Sequence, residues 1–309
     1  MDTASLAMLL PLLTITVVVL GACMGSFLNV CIYRIPLGLS VVRPRSRCCS
    51  CGHLIPWYLN IPVLSWIMLR GKCRYCRAPF SFRYLFVELL TSLLFLMVWM
   101  QYASTLLNPQ LAIDWDPAGS LMGLPVQGGL LHLVPIVNPW LIPIYWLAIF
   151  GLLLGTFVDL DHYILPDRVT IGGMILGLVL SPLVPALHHT TVPLTALTRS
   201  LIGCAVGFGT LWLIATLGSL AFRKEAMGFG DVKLMGAVGA FLGWKAVLFT
   251  LVVSSLLGSV VGIALILLGK RQLQGRIPYG PFISAAAIIW IFWGPLLANL
   301  YQRMLMPSL

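Results

Sequence analysis

Charge is what this sequence has least of: only 9% of its 309 residues are Asp, Glu, Lys or Arg, while 60% are hydrophobic. That balance excludes a soluble globular surface and implies a polytopic membrane protein. Acidic residues are the scarcer sign, nine against nineteen basic, for a formal net charge of +10. Other things are missing too. No H-E-x-x-H occurs, which argues against a zinc metalloprotease. No internal repeat is present, which argues against a transporter built from repeated halves. No glycine-rich nucleotide-binding loop of the Rossmann kind is visible.

The positions of the few charges set the topology. Between Arg34 and Arg83 lie nine basic residues and no acidic one, so this stretch is expected in the cytoplasm. Residues 102–138 carry Asp114 and Asp116 and no Lys or Arg, and are expected outside. This asymmetry accounts for the net charge through anionic membrane lipids, without nucleic acid as a partner. A bilayer core takes about 20 apolar residues in a helix, and eight segments fit: 7–33, 84–101, 139–158, 168–187, 199–222, 232–244, 246–269 and 281–301. The sixth is short and glycine-rich, from Gly236 to Trp244, so a full span and a broken or re-entrant element both remain open. Leu20-Gly21-Ala22-Cys23 has the form of a lipoprotein cleavage box, but no positive region precedes it and apolar sequence continues to Cys31. Residues 7–33 are therefore expected to be a retained span. The fold class predicted is an all-α polytopic membrane protein of about eight transmembrane helices, divided into a first helix (1–33), a cytoplasmic loop (34–83) and a membrane core of about seven helices (84–309).

The loop holds Cys48-x-x-Cys51 and Cys73-x-x-Cys76, the spacing of a four-thiolate zinc site. A two-residue turn aims two sulfurs at one point, and two such turns complete a tetrahedron. About 50 residues bury little core, so a structural metal would supply the missing stability, and a reducing cytoplasm argues against disulfides. Cys49 is an alternative ligand to Cys48, although its chelate with Cys51 would be tighter. Four thiolates leave no open position for catalysis.

Ionisable residues in or beside spans are costly and mark function. Asp159, Asp161 and Asp167 close the third span, and Asp231 opens the sixth within Gly228-Phe229-Gly230-Asp231. Both clusters fall on the cytoplasmic face in this topology. Two carboxylates brought together share a proton, so one activates water while the other polarises a carbonyl. Asp159 and Asp231 are the predicted catalytic pair, with Asp161 the competitor to Asp159. Gly228 and Gly230 are supporting residues that let a substrate strand approach the backbone. The bland alternatives are that Asp167 is a helix cap paired with Arg168, that Asp231 pairs with Lys233 or Lys224, and that Glu88 is structural through Arg83 or a loop residue. His132, His188 and His189 are given no role. A transporter using intramembrane carboxylates is the rival function.

These residues resemble the bacterial type IV prepilin peptidases, GxGD aspartyl proteases. Gly25-Ser26-Phe27-Leu28-Asn29-Val30 with Tyr33-Arg34 and Pro36 resembles the family's first-span signature. The cysteine pairs enclosing Asn60-Ile61-Pro62-Val63-Leu64-Ser65-Trp66, followed by Arg83-Tyr84 and Glu88, resemble its cytoplasmic loop. Asp159, Asp231 and a late Pro278-Tyr279-Gly280-Pro281 follow in family order. Cys49 departs from the pattern, standing where many relatives have proline. The resemblance implies a bacterial inner-membrane enzyme that cleaves prepilins or pseudopilins after a glycine, at the cytoplasmic face. It further implies N-methylation of the new terminus with S-adenosylmethionine, for which no binding residue is assigned.

Overall fold

The computed structural model of the protein describes residues 3–107, 138–224, 227–268 and 277–305. Among them the chain is helical, with two isolated β-bridges and no strand. The helices are α1 (Thr3–Arg34), α2 (Leu64–Leu69), α3 (Phe82–Leu107), α4 (Leu141–His162), α5 (Asp167–Leu183), α6 (Pro193–Phe222), α7 (Phe229–Leu267) and α8 (Gly280–Leu305). Five of them, α1, α3, α4, α6 and α7, are long and apolar enough to cross a membrane. Each of the eight predicted segments falls mainly on helix, the fourth running past the end of α5 at Leu183 and the sixth and seventh lying largely on the single α7. The predicted outward stretch with Asp114 and Asp116, and His132, lie mostly or wholly outside the described residues.

Contacts group the chain into two compact units, Met1–Leu107 and Asn108–Leu309. In the first, α1 and α3 run antiparallel, as a ladder of small and polar contacts records. Trp99 Nε1 donates to Thr14 Oγ1 at 3.0 Å, Ser92 Oγ to the Val18 carbonyl at 2.8 Å, and Asn29 Nδ2 to the Tyr84 carbonyl at 3.1 Å. Gly21 and Gly25 let the backbones meet: a Cβ there would stand 2.7 Å from Ser92 Cα and 2.6 Å from Glu88 Cα. Small residues at such crossings are how membrane helices gain packing when apolar burial gives no preference over lipid.

The second unit applies the same device between α6 and α7. Gly203 faces Gly239 and Gly207 faces Met235 with backbone against backbone, so any side chain would separate the helices. On α5, Gly177 receives Ala240 of α7, a Cβ there standing 2.8 Å from the Ala240 Cβ. The form of the predicted sixth segment resolves here: α7 is two helices joined at Gly243, whose φ of 80° and ψ of 173° are accessible essentially to glycine alone. Beside this break the Ala240 carbonyl accepts from Ser200 Oγ at 2.7 Å and lies 3.2 Å from His188 Nε2, itself 2.9 Å from Ser181 Oγ. Burial, against a partly opposing contact with the Ala240 carbonyl, pushes the His188 imidazole down to about 4.

Candidate active site

Helix α4 ends where its sequence requires. Tyr163 takes a left-handed conformation and its N–H donates to the Asp159 carbonyl at 2.9 Å. Pro166 then disfavours helix at Leu165, and α5 starts at Asp167. The Asp159 side chain, on the last turn of α4, is buried. Its Oδ2 accepts a 3.0 Å hydrogen bond from the Gly280 N–H, the first residue of α8. That N–H is one of the donors a helix start leaves without an intrahelical partner, and the carboxylate satisfies it.

Asp231 sits in the first turn of α7 after Gly228, its N–H 3.2 Å from the Gly228 carbonyl, and it too is buried. The two carboxylates are near enough for their charges to interact. Leu165, buried in the α4–α5 connection, is the wedge that organises the group. Its side chain lies within 2.9 Å of a Cβ built at Gly230 and 3.3 Å of one at Gly155 or Gly280. Gly230 is therefore needed for packing against Leu165. Gly228 is exposed and borders the carboxylate, a Cβ there standing 3.5 Å from Asp231 Oδ2. Asp161, by contrast, is exposed.

The remaining acids separate from this pair. Lys233 bonds Asp167 at 2.6 Å and also lies 5.3 Å from the Phe229 ring, so the alternative pairing of Asp231 with Lys233 gives way to a cross-helix pair, Asp167–Lys233. The reason is register: α5 and α7 start side by side, which brings Lys233 to the exposed acid and not to the buried one. Asp167 is the first residue of α5 and Pro166 its cap. Glu88 is structural in the way the loop alternative allows, its Oε2 accepting from the Val63 N–H at 2.7 Å. Gly280 and Leu165 were not read as site residues from sequence. The signal available was the glycine of Pro278-Tyr279-Gly280-Pro281 at the start of a span. Tyr279 fixes that turn through its hydroxyl, 2.7 Å from Ser254 Oγ and 3.2 Å from Ser255 Oγ. A cavity of about 350 Å³ opens beside it, bordered by Met227, Ser255, Gly258, Ile277, Tyr279 and Phe282.

In the first unit Cys48, Cys51, Cys73 and Cys76 bring their four sulfurs within 4.8 Å of one another. The knuckles are near copies: Cys48 N–H donates to the His53 carbonyl and Gly52 N–H to Cys48, while Cys73 N–H donates to Ala78 and Arg77 N–H to Cys73, all at 2.9 to 3.0 Å. Gly52 and Arg77 hold matching left-handed positions, φ 70° and 58°. Cys48 Sγ and Cys76 Sγ are 3.8 Å apart, the edge of a tetrahedron whose metal–sulfur bonds are about 2.3 Å. Backbone N–H groups of Cys51 and Ser50 lower the Cys48 thiol to about 6. The cluster can hold a metal ion. Cys49 is exposed and outside it.

Residues 19–102 match the bacterial peptidase A24 N-terminal domain, and residues 146–263 match the type IV leader peptidase family. A Myxococcus xanthus protein named prepilin leader peptidase/N-methyltransferase is 41% identical over 261 residues, covering 84% of this chain and 65% of its own length. Proteins of the same name from Aeromonas hydrophila and Legionella pneumophila are 35% and 33% identical, covering 94% and 90% of this chain and 95% and 90% of their own lengths. This chain belongs to the type IV leader peptidase family. No solved structure matches it. The family match spans Asp159 and Asp231 and stops before Gly280, and the N-terminal match spans all four clustered cysteines and Glu88. The transporter alternative finds no support among these relatives.

Proposed function

We propose that this type IV leader peptidase family member is a membrane aspartyl endopeptidase that removes the basic leader from type IV prepilins or pseudopilins at the cytoplasmic face of the bacterial inner membrane, cleaving after a glycine. The observation that carries the reading is the pairing of two buried carboxylates, Asp159 from the end of α4 and Asp231 from the start of α7. One carboxylate takes a proton from water, and the water oxygen attacks the scissile carbonyl carbon. The other, protonated, donates to the carbonyl oxygen; the first then passes the proton it took from water to the leaving amine as the C–N bond breaks, and the second recovers its proton as the carbonyl re-forms. Gly280 N–H orients the Asp159 carboxylate, and exposed Gly228 leaves room for an extended peptide beside Asp231.

Zinc fits the cysteine cluster: four sulfurs at tetrahedral spacing in a cytoplasmic loop favour it, with Cys48, Cys51, Cys73 and Cys76 as ligands and a structural role. Methylation of the new N-terminus with S-adenosylmethionine is supported by the relatives' name. The residues around the described cavities do not fit that cofactor. The cavity beside Cys48 and Cys73 is about 30 Å³, room for a few waters at most, and the one beside Tyr279 offers no carboxylate for ribose hydroxyls. No step is derived through it.

Coexpression of a prepilin with Asp159→Asn, Asp161→Asn or Asp231→Asn, followed by mass spectrometry, tests the peptidase reading. Leader removal is expected to disappear with Asp159→Asn and Asp231→Asn and to persist with Asp161→Asn. Full cleavage by either of the first two at normal expression refutes the pair, and the same spectra report whether the product is one methyl group heavier.

A further inference from the structure

Helix α2, in the cysteine module, is apolar at every position except Ser65. Its inward residues support the metal cluster: the Trp66 ring packs edge-on against Phe82 with centroids 5.7 Å apart and closes over Gly71, and Leu69 borders the small cavity beside Cys48 and Cys73. Its outward residues, Leu64, Ile67 and Met68, share one face at i, i+3 and i+4 and are exposed, Met68 to 76%. The 3-10 turn before it, Trp57–Leu59, adds Trp57 at 74% and Tyr58 at 49% exposure. A short helix whose outward face is wholly apolar is not a stable water-facing element.

The same module supplies the opposite ingredient. Arg43, Arg45, Arg47, Arg70, Lys72 and Arg74 are all exposed, and no acidic residue lies anywhere between Arg34 and Arg83. The module follows α1, which ends at Arg34, and precedes α3, which starts at Phe82, both long and apolar enough to cross a membrane, so spans at both of its ends would hold it at the membrane surface. A protein or peptide partner with matching chemistry would have to be both apolar and acidic and be brought to the module; an anionic bilayer surface is both and already touches its two ends.

We infer that the outer face of α2, with Trp57 and Tyr58, is an interfacial membrane-docking surface that lies at the headgroup level of anionic phospholipid, with the surrounding arginines and lysines on the phosphates. Aromatic rings at this level place their apolar bodies toward the acyl chains, and the basic side chains gain from the negative surface potential. This docking fixes the orientation of the cysteine module relative to the bilayer, and it neutralises a surface that would otherwise repel a positively charged peptide.

The test uses the full chain in nanodiscs of phosphatidylcholine alone or mixed with phosphatidylglycerol. With Met68→benzoylphenylalanine, irradiation is expected to give adducts of phospholipid mass, enriched with phosphatidylglycerol. Adducts that instead join position 68 to another part of the chain or to a second copy would overturn the assignment. In a second measurement, hydrogen exchange of the peptide spanning residues 61–69 is expected to be slowed roughly tenfold or more by phosphatidylglycerol. Ile67→Glu with Met68→Glu, both at exposed positions, should abolish that slowing while metal content stays at the wild-type value. Equal exchange in the two lipids for the wild-type chain also refutes the inference.

Discussion

At the scale of single residues, Gly280 places two constraints on one oxygen. Its N–H donates to Asp159 Oδ2 at 3.0 Å, and a Cβ on it would stand 2.7 Å from that same atom. Gly280→Ala keeps the N–H but pushes the carboxylate aside, so leader cleavage is expected to fall by roughly a hundredfold, with purified yield and metal content unchanged. Lys233→Met removes the exposed pair with Asp167 and should shift stability by about 1 kcal/mol or less, as thermal unfolding in detergent would report, while leaving the buried acids in place. Asp159 and Asp231 were legible in the sequence because acids in apolar surroundings are rare. Gly280 was not, because it meets Asp159 across 121 positions and nothing local to a glycine indicates which side chain its N–H will reach. Lys233, the alternative partner of Asp231, goes elsewhere: two positions on in sequence, it lies on a different face of the helix and reaches Asp167 on α5.

At the scale of elements, α7 is the piece that sequence periodicity could not specify. A glycine-rich apolar run reads equally as a span or a broken helix, and the outcome depends on groups far along the chain: Ser200 and His188, which meet the Ala240 carbonyl beside the break. Gly243→Ala forces a side chain into a backbone region reserved for glycine, and should cost about 1–3 kcal/mol of stability, read as a lowered Tm. The same corner carries a pH dependence. The His188 imidazole ordinarily titrates near 6.5 and is depressed to about 4 in the folded protein, mainly by burial, so the unfolded chain binds the proton first. Stability is therefore full above about 6.5 and declines as pH falls from there towards about 4. His189, also depressed to about 4 chiefly by burial, adds to the slope. His188→Gln should reduce the fall in Tm between those two pH values, and an unchanged fall would exclude His188 as a source of it. Helix existence was legible from apolar length, α5 included, whereas the end of α5 at Leu183 and the joining of two predicted segments in α7 were not, since length alone does not tell a span from a packed segment.

At the scale of the whole molecule, the helices of both units share one means of stabilisation and the cysteine module has another. The unit containing Asp159 and Asp231 rests on interlocking glycines and helix contacts, while the module between α1 and α3 is a small loop structure with four sulfurs at its centre. Without a cation those sulfurs conflict. The Ala78 N–H favours the Cys76 thiolate, but burial and the neighbouring Cys51, Cys73 and Cys48 sulfurs outweigh it and push Cys76 up to about 11. A divalent cation removes the conflict by drawing all four to the thiolate form. Metal removal should therefore act locally. Prolonged chelation, or Cys73→Ser with Cys76→Ser, is expected to eliminate bound zinc by elemental analysis and to open the stretch between Arg43 and Arg77 to limited proteolysis. Membrane-helix content by circular dichroism should be nearly unchanged, because the spans satisfy their backbone groups internally. Proteolysis confined to this stretch, with the fragments bearing Asp159 and Asp231 intact, is the pattern that a locally acting structural metal requires. Equal zinc in the wild-type and doubly substituted chains would show that the metal, if bound, is held elsewhere.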